Sequence, residues 1–186
     1  MLRHERLLGE LREYRPADTP EADHCAAMVR LLGDGEDAFS RAHFTPGHIT
    51  ASCYIIDGDD RLLLHHHRRL GRWLQMGGHV EAGELPAAAA LREGREESGL
   101  SDLAVVGQGI FDLDVHAIPA GKGEPDHLHF DVRYLAQTSA PHAIARDANE
   151  SDDLAWVTLD RAEEMMAEEA GSRAIRKIRS VLCPRT

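Results

Sequence analysis

Glu93, Glu96 and Glu97 stand at i, i+3 and i+4 in one short segment, GGHVEAGELPAAAALREGREESGL, Gly77 to Leu100. On a helix that spacing puts all three carboxylates on one face. Like charges so placed destabilise an isolated helix by roughly 0.2–0.5 kcal/mol per pair. They also lie far from the helix N-terminus, where the dipole would favour them. A hard divalent cation relieves the repulsion, because Mg²⁺ takes oxygen ligands and shares them with substrate phosphates. Spacing alone leaves two readings: a solvated acidic surface, or a carboxylate metal site.

The elements around the glutamates must hold them in place. Pro86 suits a first helical turn and Gly99 a C′ position, so the pattern predicts a helix from Pro86 to Ser98. Ala87, Leu91 and Gly94 fall on the face expected to pack on a sheet, with Ser98 at its edge, and Arg92 borders the carboxylates. Residues Gly77 to Glu84 read as a glycine-rich loop able to bring Glu84 and a main-chain carbonyl near the helix.

Elsewhere the chain alternates strand and helix patterns. Residues 2–14 read as a helix striped by Leu7, Leu8 and Leu11, and a second starts at Thr19-Pro20 as cap and first turn and runs to Leu32. GDGED, residues 33–37, breaks that pattern. Strands are expected at Ile49 to Asp57 and Arg61 to His67 around a GDD turn, with one or two more over Leu103 to Ile118. Two further strands are expected at His127 to Ala136 and Asp153 to Leu159. The end is helical, with Asp160 as an N-cap and a restart at Ser172. The fold expected is α/β, a mixed β-sheet with helices on its faces. Residues 1–44 form a helical arm, which either covers the core or builds a homodimer, and residues 45–186 form the main domain.

Composition narrows the function. A net charge of −11 argues against a general nucleic-acid or membrane-surface binder, which needs a basic face. A phosphorylated substrate stays open when cations bridge the negative partners. Cys25, Cys53 and Cys183 show no C-x-x-C spacing, which speaks against a disulfide framework or cysteine-based zinc site. With no apolar leader and no long apolar span, the expectation is a cytoplasmic protein with no DNA or membrane partner.

The central segment resembles the signature of the Nudix hydrolase family, G-x5-E-x7-R-E-U-x-E-E-x-G-U, where U is a bulky aliphatic residue. Gly78, Glu84, Arg92, Glu93, Glu96, Glu97, Gly99 and Leu100 all fall in register. Gly94 departs from it at the first U position, which implies closer packing or a weaker helix; Met76 stands where proline is common. The resemblance implies an α/β/α sandwich and hydrolysis of a diphosphate linkage, typically in a nucleoside diphosphate joined to another group. It implies Mg²⁺ or Mn²⁺ held by Glu93, Glu96 and Glu97 with the Gly78 carbonyl, Arg92 orienting the carboxylates, and Glu84 supporting the loop or a second metal. Several members draw a further glutamate from outside the signature, and Glu150 is the candidate here, against a reading as a solvated loop residue. A non-catalytic nucleotide sensor on the same fold is the alternative, although it has no need of clustered carboxylates. A prenyl-diphosphate isomerase is weaker still, since Leu74-Gln75-Met76-Gly77 lacks the cysteine that chemistry uses.

Twelve histidines complete the inventory. Asp112, Asp114 and His116 share one strand face; His127, His129, Asp131 and Arg133 share another. If the two strands pair, a strip of imidazoles and carboxylates faces one way. It reads either as a hydrogen-bonded polar sheet face or as a substrate pocket or transition-metal site. His129, Arg133 and His79 are the substrate-binding candidates. His65, His66 and His67 alternate faces and cannot all ligate one metal; Trp73 reads as core or pocket wall, and Cys53 as a buried small residue.

Overall fold

The computed structural model describes residues 3–33, 38–121, 123–149 and 151–183. In chain order the elements are α1 (Arg3–Glu13), α2 (Thr19–Gly33), β1 (Gly47–Ile56), β2 (Leu62–His67), β3 (Arg72–Leu74) and β4 (Met76–His79). There follow α3 (Pro86–Ser98), β5 (Ala104–Val105), β6 (Asp112–Ile118), β7 (His127–Gln137), β8 (Ser151–Val157), α4 (Leu159–Met166) and α5 (Glu169–Leu182). The residues fall into two compact units. The first is Met1–Ser52, Gly77–Ala90 and Gly109–Tyr134; the second is Cys53–Met76, Leu91–Gln108 and Leu135–Thr186.

In the first unit β6 and β7 form an antiparallel pair whose register places Asp112 opposite Arg133, Asp114 opposite Asp131 and His116 opposite His129. The expected polar strip therefore exists. β4 lies against β1, and a Cβ at Gly77 would come within 2.3 Å of the Ser52 Cβ, so only glycine fits this crossing. Here the sequence reading is corrected: Gly77-Gly78-His79 is strand, and the loop begins at Val80.

α1 and α2 belong to this unit, with α2 packed on β6. α1 buries Leu7 and Leu11, two residues of its expected stripe. The α2 cap is Asp18, not Thr19: Asp18 Oδ1 accepts the Glu21 N–H at 3.0 Å. Glu21 is buried but satisfied, accepting the Tyr14 hydroxyl, the Ala17 N–H at 2.5 Å and the Leu113 N–H at 3.2 Å. Those bonds tie the arm to β6.

In the second unit β2 pairs antiparallel with β1, β3 and β8, and β5 pairs antiparallel with the end of β7. The sheet is mixed because β1 and β7 are parallel. Within the first unit the Leu128 N–H donates to the Pro46 carbonyl at 2.9 Å; within the second, Thr138 N–H donates to Ile56 at 3.1 Å. The sequence separation is the same at both ends, as a parallel register requires. The fold class is α/β, as expected. α4 starts under Thr158, whose side chain accepts the Arg161 N–H, and α5 starts at Glu169. The sequence pattern places these starts at Asp160 and Ser172 instead. No helix among the described residues is long and apolar enough to cross a membrane.

Candidate functional site

α3 carries the clustered glutamates. Arg92 Nη1 donates to Glu93 Oε1 at 2.8 Å and to Glu96 Oε2 at 3.1 Å, so one guanidinium bridges two carboxylates on the helix surface. Side-chain exposure is 17% at Glu93 and 58% at Glu96, while Glu97 as a whole is 6% exposed. The buried residues of the helix are Pro86, Ala89, Ala90, Gly94, Glu97 and Ser98; Gly94 and Ser98 lie on the expected face, whereas Ala87 and Leu91 are only half-buried. That corrects the expected packing face by part of a turn and draws Glu97 toward the interior.

Gly94 explains the shift. A Cβ there would lie 2.7 Å from Cys53 Sγ and 3.0 Å from Leu103 Cδ1, inside van der Waals contact. The helix lies down on Cys53, which is fully buried, and a larger residue at the first U position would lift it. Ser98 Oγ donates to the Gly94 carbonyl at 2.5 Å and closes the C-terminal turn. Carboxylate oxygens are hard donors, and the set Glu93, Glu96 and Glu97 fits Mg²⁺ or Mn²⁺ in chemical type.

In the first unit Gly78 and His79 lie on β4, and Glu84 closes the following loop by accepting the Glu81 N–H at 3.0 Å. Glu150 lies outside the described residues. Arg133 was expected to face substrate. It is 5% exposed, and its guanidinium donates to Asp131 at 2.9 Å, Asp114 at 2.8 Å and Asp112 at 3.4 Å. Its place is inside a closed carboxylate cage. Asp131 also accepts the Ser52 hydroxyl at 2.7 Å and the Thr50 hydroxyl at 3.2 Å. Burial alone would raise the Asp114 carboxyl, but Arg133 and His116 outweigh it and hold it well below the usual carboxylate range.

His129 and His79 meet a residue that sequence reasoning passed over, His48 at the start of β1. Ring centroids are 4.9 Å apart for His48 and His129, 5.1 Å for His48 and His79, and 5.5 Å for His79 and His129. Burial and neighbouring imidazoles push His79 down to about 4 and His129 to about 2; burial also lowers His48. All three are neutral near pH 7. Three separate strands supply them, so no sequence spacing announces the cluster.

In the second unit His65 is buried and its Nδ1 shares a 2.7 Å hydrogen bond with Ser151 Oγ. Trp73, on β3, is half-buried with its ring against His66.

The family model described as the NUDIX domain matches residues 46–178. The chain belongs to the NUDIX family. It is 33% identical over 108 residues to the m7GpppN-mRNA hydrolase NUDT17 of Xenopus laevis, a match covering 54% of this chain and 36% of that protein. The chain thus spans about a third of that relative's length. A probable DHNTP pyrophosphohydrolase of Lactococcus lactis subsp. cremoris is 27% identical over 142 residues, covering 75% of this chain and 82% of the relative. Among solved structures, the Ap4A hydrolase of C. elegans superimposes with a TM-score of 0.59 at 21% identity, covering 72% of this chain and 96% of that one. That likeness concerns the fold.

Proposed function

We propose that the protein is a divalent-metal-dependent pyrophosphohydrolase that cleaves a diphosphate linkage by attack of water on phosphorus. The observation that carries this reading is the bridging of Glu93 and Glu96 by Arg92 on a helix of a NUDIX-family chain, with Glu97 one residue further on. Glu93, Glu96 and Glu97 hold Mg²⁺ or Mn²⁺. A cation bound there supplies charge neutralisation on the phosphoryl oxygens and a water of lowered pKa. Arg92 fixes the rotamers of Glu93 and Glu96, so that little side-chain entropy is lost on binding. Glu97, held by packing, presents a ligand oxygen at a fixed point. Glu150 is the proposed general base.

The substrate class is a nucleoside or nucleoside-like diphosphate joined to another moiety. The relatives' names support it: a pterin triphosphate and an mRNA cap share a phosphoanhydride with a heteroaromatic group at one end. The net charge of −11 suits a small substrate whose phosphates are bridged to the protein by metal ions.

The experiment is product analysis by ³¹P NMR over a panel of nucleoside triphosphates, dinucleoside polyphosphates, nucleotide sugars and pterin triphosphates, with Mg²⁺ or Mn²⁺ in ¹⁸O-labelled water. One class is cleaved, EDTA abolishes the reaction, and ¹⁸O enters one phosphate product. Tight binding of a compound with no cleavage under any metal assigns the protein to the sensors instead.

A further inference from the structure

We infer that His48, His79 and His129 form a second metal site, one that takes a zinc-class transition ion through three imidazole nitrogens. The ligand nitrogens of the three residues all lie within 4.8 Å of one another, and among the described residues this is the set of metal-ligating side chains that converges so. The centre of a triangle with sides at that limit is about 2.8 Å from each corner, against about 2.0–2.1 Å for a zinc–imidazole bond. Side-chain rotations of less than about 1 Å at each nitrogen close the difference.

An independent observation points to the same ligand. His48 is 1% exposed, and its Nε2 is buried with no hydrogen-bond partner among the described residues. Its Nδ1 lies 3.2 Å from the His43 carbonyl, which can only accept, so Nδ1 carries the proton and Nε2 keeps its lone pair. An imidazole that donates one N–H to a backbone carbonyl and turns its free lone pair inward has the arrangement found at metal-ligating histidines. A buried acceptor left without a partner is destabilising, and a bound cation removes that cost.

The chemistry of the set selects the ion. Three neutral nitrogens favour Zn²⁺, Co²⁺ or Ni²⁺ over Mg²⁺, which prefers oxygen. Three protein ligands leave the fourth tetrahedral position for water. His127 packs beside the cluster, its ring 5.1 Å from His48 and its Nδ1 held 2.8 Å from the Pro125 carbonyl, and so walls one side. The ligands come from β1, β4 and β7, all within the first unit, and none belongs to the glutamates of α3.

The test uses Co²⁺ alone as probe, titrated into the metal-free protein and read by visible absorption and calorimetry. One equivalent binds with the intense band of low-coordinate cobalt, and Zn²⁺ displaces it. His79→Gln and His129→Gln each weaken this binding at least about 100-fold, whereas Glu96→Gln leaves it unchanged. Histidine side-chain ¹⁵N spectra of the unaltered protein give a readout that needs no variant: Zn²⁺ shifts three imidazoles, His48 among them. Loss of the band in Glu96→Gln, retention in both histidine variants, or no shifted imidazole would overturn the inference. No step of this test measures hydrolysis, so failure of the proposed hydrolase activity would leave its result standing.

Discussion

The Arg92 guanidinium lies 2.8 Å from the carboxylate of Glu93, its neighbour in the chain, and its second bond reaches one helical turn on to Glu96. A guanidinium so placed offsets the repulsion of two like charges before any cation arrives. Arg92→Ala therefore frees both side chains and should lower kcat by roughly 10–100-fold, with a higher Mg²⁺ requirement. Arg92→Lys keeps the charge on a shorter side chain without the planar guanidinium and recovers only part of the activity. Steady-state kinetics over a Mg²⁺ series checks this; an unchanged metal dependence in Arg92→Ala would remove Arg92 from the account.

Gly94 sits where its family signature calls for a bulky residue, and the structure makes the exchange costly. Gly94→Ala gains helix propensity of about 1 kcal/mol but drives a methyl to 2.7 Å from Cys53 Sγ. Overpacking of that kind costs about 1–3 kcal/mol, so the net change is destabilising by up to about 2 kcal/mol. The sulfur is the obstacle, so Cys53→Ala in the same chain should rescue much of the loss. A double-mutant cycle in urea measures the coupling. Purely additive effects would show that the helix does not rest on Cys53.

Arg133 holds three carboxylates in the closed cage of β6 and β7. Arg133→Met leaves buried negative charge without its cation, and the expected loss of stability is about 3–5 kcal/mol. Chemical denaturation gives the value. A variant of normal stability with a raised KM would return Arg133 to the substrate-binding role expected from sequence.

His65 is 2% exposed, and burial with the nearby His67 pushes its pKa from the model-peptide 6.5 down to about 4. Between those values the unfolded chain binds a proton that the folded chain refuses. The neutral histidine's contribution is thus fully present above pH 6.5 and is lost as pH falls through 4, at most on the order of 3 kcal/mol. Denaturation midpoints from pH 7 to 4 should fall, and His65→Gln should flatten part of that fall. A parallel profile for the variant would contradict the assignment.

Much of the fold was legible because its signals are local. The Leu7 and Leu11 stripe, Pro86 and Gly99 around α3, and the strict alternation of β7 each depend on residues within one element. Local signals also misled. Asp160 has cap chemistry, yet Thr158 takes the role because the chain leaves β8 two residues earlier. The packing face of α3 was misplaced since Cys53, which sets it, lies 41 positions away in sequence. The hydrogen-bonded polar face of Asp112, Asp114, Asp131 and Arg133 is one of the two readings the sequence carries, but the further bonds of Asp131 to Ser52 and Thr50 leave no signal in it, because those residues come from another strand. His48 carried no signal at all: a histidine opening a strand is ordinary, and only the pairing of β1 with its neighbours brings it to His79 and His129.

The proposed function stands on the α3 carboxylates holding the cation that drives diphosphate hydrolysis. The most direct measurement is phosphate-product release by the unaltered protein and by Glu93→Gln, Glu96→Gln and Glu97→Gln on the cleaved compound class, across a Mg²⁺ titration. A fall of at least about 10²-fold in kcat/KM is expected for each variant, a transition-state loss of roughly 2.7 kcal/mol or more, with circular dichroism unchanged for the exposed Glu96→Gln. Full activity of folded Glu96→Gln at low Mg²⁺ would contradict it.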